Sequence, residues 1–196
     1  MIYGCKVFLK VHIPDMKKLV FLLEEASMGE LLKVLLPRFL PEGVEFQLVT
    51  HKGKQDLEKS IPRKLKAWQK PGLHFVVMRD QNSANCKELK QHLQELCKHR
   101  PDTLVRIVCH ELEAWFLGDL SAVEQAFQIK GLARQQPSKK FRNPDHLNNA
   151  AEELSKLVKG YRKLSGARAI APHIDLTHNC SCRFQVFVKG VQKIAQ

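Results

Sequence analysis

Long apolar runs are missing from this sequence. No stretch approaches the roughly 20 residues that a membrane-spanning helix needs. Met1 to Leu9 lack the apolar core and small-residue cleavage site of a secretory signal, so none is expected. The 10 glycines are spread thinly. They form no G-x-x-x-x-G-K-[ST] loop, which removes the phosphate cradle of an ATPase acting alone. No G-x-S-x-G elbow supports a serine-hydrolase triad. The six cysteines (Cys5, Cys86, Cys97, Cys109, Cys180, Cys182) include no C-x-x-C pair. The tightest cluster, His178-Asn179-Cys180-Ser181-Cys182, lacks the wider spacing and second ligand pair that zinc wants. These cysteines read as reduced, mostly buried thiols of a cytoplasmic protein. Neither a low-complexity tract nor an internal repeat occurs.

Acidic side chains are also scarce: 20 Asp and Glu stand against 32 Lys and Arg, a formal charge of +12. That excess favours polyanionic partners, nucleic acid first and an anionic membrane surface second. A merely solubilising surplus is the bland alternative. A chain of 196 residues suits one domain with a proper core and is short for two.

What is present is an alternation of strand-length apolar runs and helical periods. Leu19 to Leu23 is continuously apolar, as a strand buried on both faces is. Ser27-Met28-Gly29-Glu30 has the S-x-x-E form of a capping box, and Leu31, Leu32, Leu35, Leu36 and Phe39 follow at helical spacing. Val44 to Val49 reads as a second strand. A helix follows from about Lys54 to Gln69, interrupted in pattern by Pro62. Leu73 to Met78 reads as a third strand. Asn85 caps a helix bearing Leu89, Leu93, Leu96 and Cys97 on one face. Leu104 to Cys109 reads as a fourth strand, then helix from about Glu111, with Asp119 capping a continuation to Phe127. Such β-α alternation predicts a parallel sheet of about four strands with right-handed crossovers and helices on its faces.

The remainder predicts a basic loop over 131–143, a helix introduced by Pro144-Asp145 and running to about Val158, turns around Gly160, Gly166 and Pro172, and a helix over Phe184 to Ile194. The expected organisation is therefore an α/β core over 16–127 and a mainly helical and loop extension over 128–196 packed on it. Residues 1–15 are either an N-terminal extension or, through Lys6 to Ile13, an extra edge strand.

In an open parallel sheet, ligands bind beyond the carboxyl ends of the strands. The first strand ends in Glu24-Glu25, the second in Thr50-His51, the third in Arg79-Asp80 and the fourth in His110-Glu111-Leu112-Glu113. Carboxylates delivered to one edge suit a hard cation such as magnesium or manganese, which needs only one or two of them beside water and substrate phosphate. Plainer roles stand beside this reading. Glu30 suits the return half of the capping box, and Asn85 a helix N-cap. Glu111 and Glu113 suit first-turn acids answering the helix dipole. His51 and His110 read as structural, and Trp115 and Phe116 as core or interface. Asp80, directly after a buried-type strand, is the hardest to account for without a function.

These same residues carry a family resemblance. LVFLLEEASMGELLKVLLPRFLP, FVVMRDQNSANCKELK, VRIVCHELEAWFLGD and FRNPDHLNNAAEEL, with further segments across most of Lys18 to Gly190, resemble a bacterial TOPRIM-like family related to the nuclease domain of the OLD proteins. The resemblance implies a TOPRIM-like Rossmannoid fold and a Mg2+-dependent nuclease, with Mn2+ an alternative ion. It implies that Glu24, Asp80, Glu111 and Glu113 are catalytic, and that Glu24, Asp80, Asn82 and Glu111 surround the metal. Lys52, Lys54, Arg79, Lys139, Lys140 and Arg142 are the expected nucleic-acid contacts. It further implies a partner ATPase of ABC or AAA type and a part in phage defence. The sequence departs from the family where D-Q-D-S-x-D-C is usual: Asp80-Gln81-Asn82-Ser83-Ala84-Asn85-Cys86 carries asparagine twice. Asparagine offers a metal a neutral oxygen without the charge, so a weakened enzyme or a non-catalytic binding module is the competing expectation. A topoisomerase or primase subunit fits poorly, since the tyrosines are only Tyr3 and Tyr161.

Overall fold

The computed structural model describes residues 17–196; the two readings of 1–15 lie outside the described residues. The chain builds an all-parallel four-stranded sheet in the order β2-β1-β3-β4, from β1 (Lys18–Leu23), β2 (Glu45–Thr50), β3 (Leu73–Asp80) and β4 (Leu104–Val108). The two central strands are the continuous apolar ones, and their burial on both faces is the reason for that composition. Edge strand β2 is exposed at Glu45, Gln47 and Thr50 and half-buried between them.

Alternation along β1 and β3 divides the core. Leu19, Phe21, Leu23, Val76 and Met78 face helix α1 (Ala26–Leu35), whereas Val20, Leu22, Phe75 and Val77 face α2 (Lys54–Ala67) and α3 (Cys86–Leu96). From α1, Met28, Leu31, Leu32 and Leu35 are fully buried, each contributing about 1.5–3 kcal/mol of transfer free energy. Helix α2 continues through Pro62, and Leu57, Ile61 and Leu65 on either side of it are buried in one core cluster. Asn85 caps α3 by accepting from the Lys87 and Glu88 N–H groups, as its sequence context predicts.

Five more helices follow β4: α4 (Glu113–Leu117), α5 (Leu120–Phe127), α6 (Ala150–Leu157), α7 (Lys163–Ile170) and α8 (Cys182–Ala195). They join the α1 side of the core, where Trp115 stacks edge-on to Phe184 at 5.3 Å and α7 packs on α1. Asp119 caps α5 through the Ala122 N–H.

Three expectations are corrected. No capping box forms at Ser27 and Glu30: the chain turns directly from β1 into α1, Ser27 is already inside the helix and donates its hydroxyl to Glu25, and Glu30 instead pairs with Arg168 at 2.7 Å. Pro144-Asp145 starts only one 3-10 turn, and α6 begins at Ala150. The predicted turns around Gly166 are the helix α7. Glycine is tolerated there because the Tyr161 ring occupies its missing side-chain volume: a Cβ would lie 2.1 Å from Tyr161 Cε2.

Candidate functional site

The strand order places β1 and β3 side by side, while their crossovers leave in opposite directions, β1 toward β2 and β3 toward β4. The crevice between their carboxyl ends is thus a topological switch point, the favoured ligand position in open α/β sheets. Register carries the pairing beyond the strands: Glu24 N–H donates to the Met78 carbonyl at 3.2 Å, and Asp80 N–H donates to Glu24 Oε2 at 2.9 Å. Glu24 and Asp80 therefore meet because two parallel strands end in step.

Pleating sends neighbouring residues to opposite sides of this seam. On the α2–α3 side, Arg79 is buried, lies 3.9 Å from Glu24 Oε2 and bonds Glu58 of α2, while His92 of α3 stands 3.5 Å from the same Glu58. On the other side, Asp80 sits in the field of Glu25, Glu113 and Lys163. Glu113 Oε1 accepts from the Tyr161 hydroxyl at 3.0 Å, and its Oε2 faces Lys163 Nζ at 3.8 Å, an ion pair too long for a hydrogen bond.

The energetics of this group are unusual. Asp80 is 4% exposed and its Oδ1 has no hydrogen-bond partner. Burial raises its pKa well above the ordinary carboxylate value, and Glu25 and Glu24 push it further. Burial likewise raises Glu24, opposed by the Asp80 N–H and Arg79, and raises Glu113, opposed by Lys163 and Tyr161. Burial works against the Lys163 charge, yet Glu113, Glu25 and Asp80 outweigh it and hold its pKa above the usual lysine value. A buried carboxylate with an orphaned oxygen is costly unless a proton or a cation answers it.

The other expected residues are distributed as follows. Glu111 Oε2 accepts from the Ala151 N–H at 2.8 Å, so it serves the first turn of α6. Asn82 is exposed, with φ 51°, and its backbone is tied to His110 (φ 54°) by a 2.9 Å hydrogen bond that stitches the β3–α3 and β4–α4 loops together. His110 Nδ1 stands 3.2 Å from the Asn82 carbonyl, and His51 Nδ1 stands 2.8 Å from the Leu23 carbonyl; both rings hold loops. Lys52 and Lys54 are exposed at the start of α2, beside the β2 end. Lys139 and Arg142 are exposed, and Lys140 pairs with Glu153. Arg79, at 7% exposure, is occupied inside the fold and is not open to a phosphate.

Lys163 and Tyr161 were missed by sequence reasoning, because the segment around Gly166 was read as turns. A signal was present: Ala167, Ile170, Ala171 and Ile174 recur at i, i+3, i+4 and i+7, and all four are fully buried.

For a metal, the donors are oxygens, which suits a hard cation. Among the described residues, no three or more His, Cys, Asp or Glu side chains gather closely enough to hold an ion unaided. The orphaned Asp80 Oδ1 beside Glu24 fits one ion that brings phosphate and water as its remaining ligands. A two-ion centre does not fit, since Glu111 is engaged elsewhere and Asn82 carries no charge.

Fold and site together define a doubly wound α/β protein with a buried acidic cluster at its switch point. The chain belongs to a family described as a domain of unknown function (DUF4276), whose model matches residues 23–192. No curated protein and no solved structure matches it. Among the described residues, no helix is long and apolar enough to cross a membrane.

Proposed function

We propose that the switch-point crevice is a magnesium-dependent phosphodiesterase centre acting on nucleic acid, of the TOPRIM and OLD nuclease type. The observation that carries this reading is the desolvated pair Glu24 and Asp80, with an orphaned Asp80 oxygen, in a protein of net charge +12. A buried acid kept in a basic protein at the ligand-binding end of a parallel sheet has a cost that structure alone does not explain. Glu24 and Asp80 would hold the ion, whose contribution when bound is to polarise a phosphoryl oxygen. Lys163, kept protonated chiefly by Glu113 and Glu25, would neutralise charge gathering on the phosphate. Glu25, held by the Ser27 hydroxyl, would take the proton of the attacking water as the phosphorus–oxygen ester bond opens. Glu113 would position Lys163 and Tyr161 without touching substrate. Action in the cytoplasm with a partner ATPase, and in phage defence, extends the reading by resemblance; the free thiols Cys86, Cys97, Cys109, Cys180 and Cys182 support a reducing compartment.

A second reading, a non-catalytic nucleic-acid-binding module of the same fold, is favoured by one observation. Asn82 and Asn85 stand where the resembled family carries aspartates, and the Asn85 carboxamide is spent on capping α3. The two readings separate on plasmid, linear duplex and single-stranded substrates incubated with Mg2+ or Mn2+. Cutting that requires the ion and disappears in Asp80→Asn supports the phosphodiesterase. Salt-sensitive binding without cutting under either ion supports the module.

A further inference from the structure

Outside the acidic crevice, the least explained feature is a run of cations along the free side of β4. Three cavities lie end to end there and share walls. The first, about 550 Å3, is bordered by Lys139, Arg142, Asn143 and His146 of the basic loop. The second, about 220 Å3, shares Asn143 and His146 with it and continues past Cys109 to Arg183. The third, about 60 Å3, shares Arg183 and Val186 with the second and ends at Lys90 and Arg106. Cys109 follows β4 and Cys86 opens α3, so the second and third cavities touch the carboxyl end of the sheet, and the third continues along β4 at Val105, Arg106 and Ile107.

Charge along this path is mostly positive. Asp145 is the only acid lining any of the three cavities, and it is buried and spent, accepting from the Ser181 hydroxyl at 2.6 Å and the Arg183 N–H at 3.0 Å. That second bond fixes the start of α8. Arg183 Nε is directed at Cys109 Sγ at 3.2 Å. Arg106 is held in a slot left by Gly190, where a Cβ would meet its Nη2 at 2.1 Å, and its Nε is buried without a hydrogen-bond partner. Burial lowers its pKa, so the fold bears a cost to keep this guanidinium beside the groove. Val186, 47% exposed, supplies an apolar floor between the cations.

We propose that this groove is the binding track for a single strand of nucleic acid. Cations border all three cavities, Lys139 and Arg142 in the first, Arg183 in the second, and Lys90 and Arg106 in the third, as contacts to a phosphate backbone require. No Phe, Tyr or Trp lines the three cavities and His146 is the one ring available to stack, so base stacking contributes little and phosphate contacts dominate. Binding is therefore tolerant of sequence and steeply salt-dependent. The inference rests on the nucleic-acid reading above, but not on any chemistry at Asp80.

The test is anisotropy of a labelled oligothymidylate or oligouridylate of roughly 16 nucleotides, at the upper end of common site sizes, titrated in EDTA so that cleavage is silent. Lys90→Ala/Lys139→Ala/Arg142→Ala is compared with Lys33→Ala/Lys66→Ala/Lys70→Ala, which removes equal charge from other faces. All six side chains are exposed, and circular dichroism checks both folds. The groove variant is expected to bind about tenfold more weakly at low salt, with a slope of log affinity against log salt shallower by about 2. The remote variant should bind as the wild type does. Equal weakening in both, unchanged binding in the groove variant, or tighter binding of a duplex of the same length overturns the assignment. Retained groove-dependent binding in a protein that cuts nothing leaves the track standing and removes only the catalytic reading. Cutting that ignores the groove variant does the reverse.

Discussion

Asp80→Asn should make this protein more stable, and increasingly so as pH rises. The folded-state pKa of Asp80 is raised, mainly by burial and then by Glu25 and Glu24. Below about pH 4 the group is protonated in both folded and unfolded chains and contributes no difference. Above that, the unfolded chain releases its proton while the folded chain keeps it. Wild-type stability then falls by up to about 1.4 kcal/mol per pH unit, until Asp80 ionises in the folded state too. Asparagine has no proton to release and keeps the shape, so the variant lacks this slope. Glu24 and Glu113, raised as well, tilt both proteins in the same sense and largely cancel in the comparison. For a chain of this size about 1 kcal/mol moves Tm by about 2–4 °C. The Tm gap should therefore widen by about 3–6 °C per pH unit across that window. Thermal unfolding followed by circular dichroism in EDTA, from about pH 4 to about pH 8, measures it. Saturating magnesium should then raise the Tm of the wild type and leave that of the variant unmoved. A gap that stays constant with pH, or a variant less stable than wild type at neutral pH, would refute the idea that Asp80 is held against its charge.

Other outcomes are expected elsewhere. Gly166→Ala should cost about 1–3 kcal/mol in urea unfolding by overpacking, because its Cβ meets Tyr161 Cε2 at 2.1 Å; adding Tyr161→Ala should relieve the clash, whereas Tyr161→Phe should not. Asn85→Ala should cost about 1 kcal/mol through loss of the α3 cap, and Asn85→Asp should keep it, so stability separates capping from any ligand role. Burial pushes the Cys97 thiol up to about 12, so iodoacetamide at neutral pH should label exposed Cys182 first, and mass spectrometry should find Cys97 modified only as fast as the chain unfolds.

Much of the sheet was legible because its signals are local. The apolar runs of β1 and β3 report burial on both faces, and Asn85 and Asp119 sit before helical periods in the manner of caps. From strand endings and one topological rule it followed that Glu24 and Asp80 would share an edge, and the hydrogen bond from the Asp80 N–H to Glu24 Oε2 joins them there. The failures came where one residue's role depends on a distant partner. Ser27 and Glu30 have the spacing of a capping box, but Glu30 is claimed by Arg168, 138 positions away. Gly166 resembles a turn residue until Tyr161 fills the space beside it. Arg79 follows a strand as a phosphate contact would, yet α2 and α3 close over it. Glu111 and Glu113 are two residues apart, and only the fold decides that one caps α6 while the other enters the crevice.

That last division bears on what the site can do. With Glu111 committed to α6 and Asn82 uncharged and exposed, the negative charge nearest Asp80 comes from Glu24, Glu25 and Glu113, and Lys163 opposes part of it. Such a site is short of charge for two cations and has more than an uncomplexed fold would tolerate without protonating Asp80. On the proposed function, one divalent ion arriving with a phosphate would resolve both conditions, because the phosphate would supply the ligands that the loop asparagines do not. Ion and nucleic acid should then bind with positive coupling, each tightening the other's affinity by the same factor. A crevice that only occupied the end of a sheet would have no reason to show it.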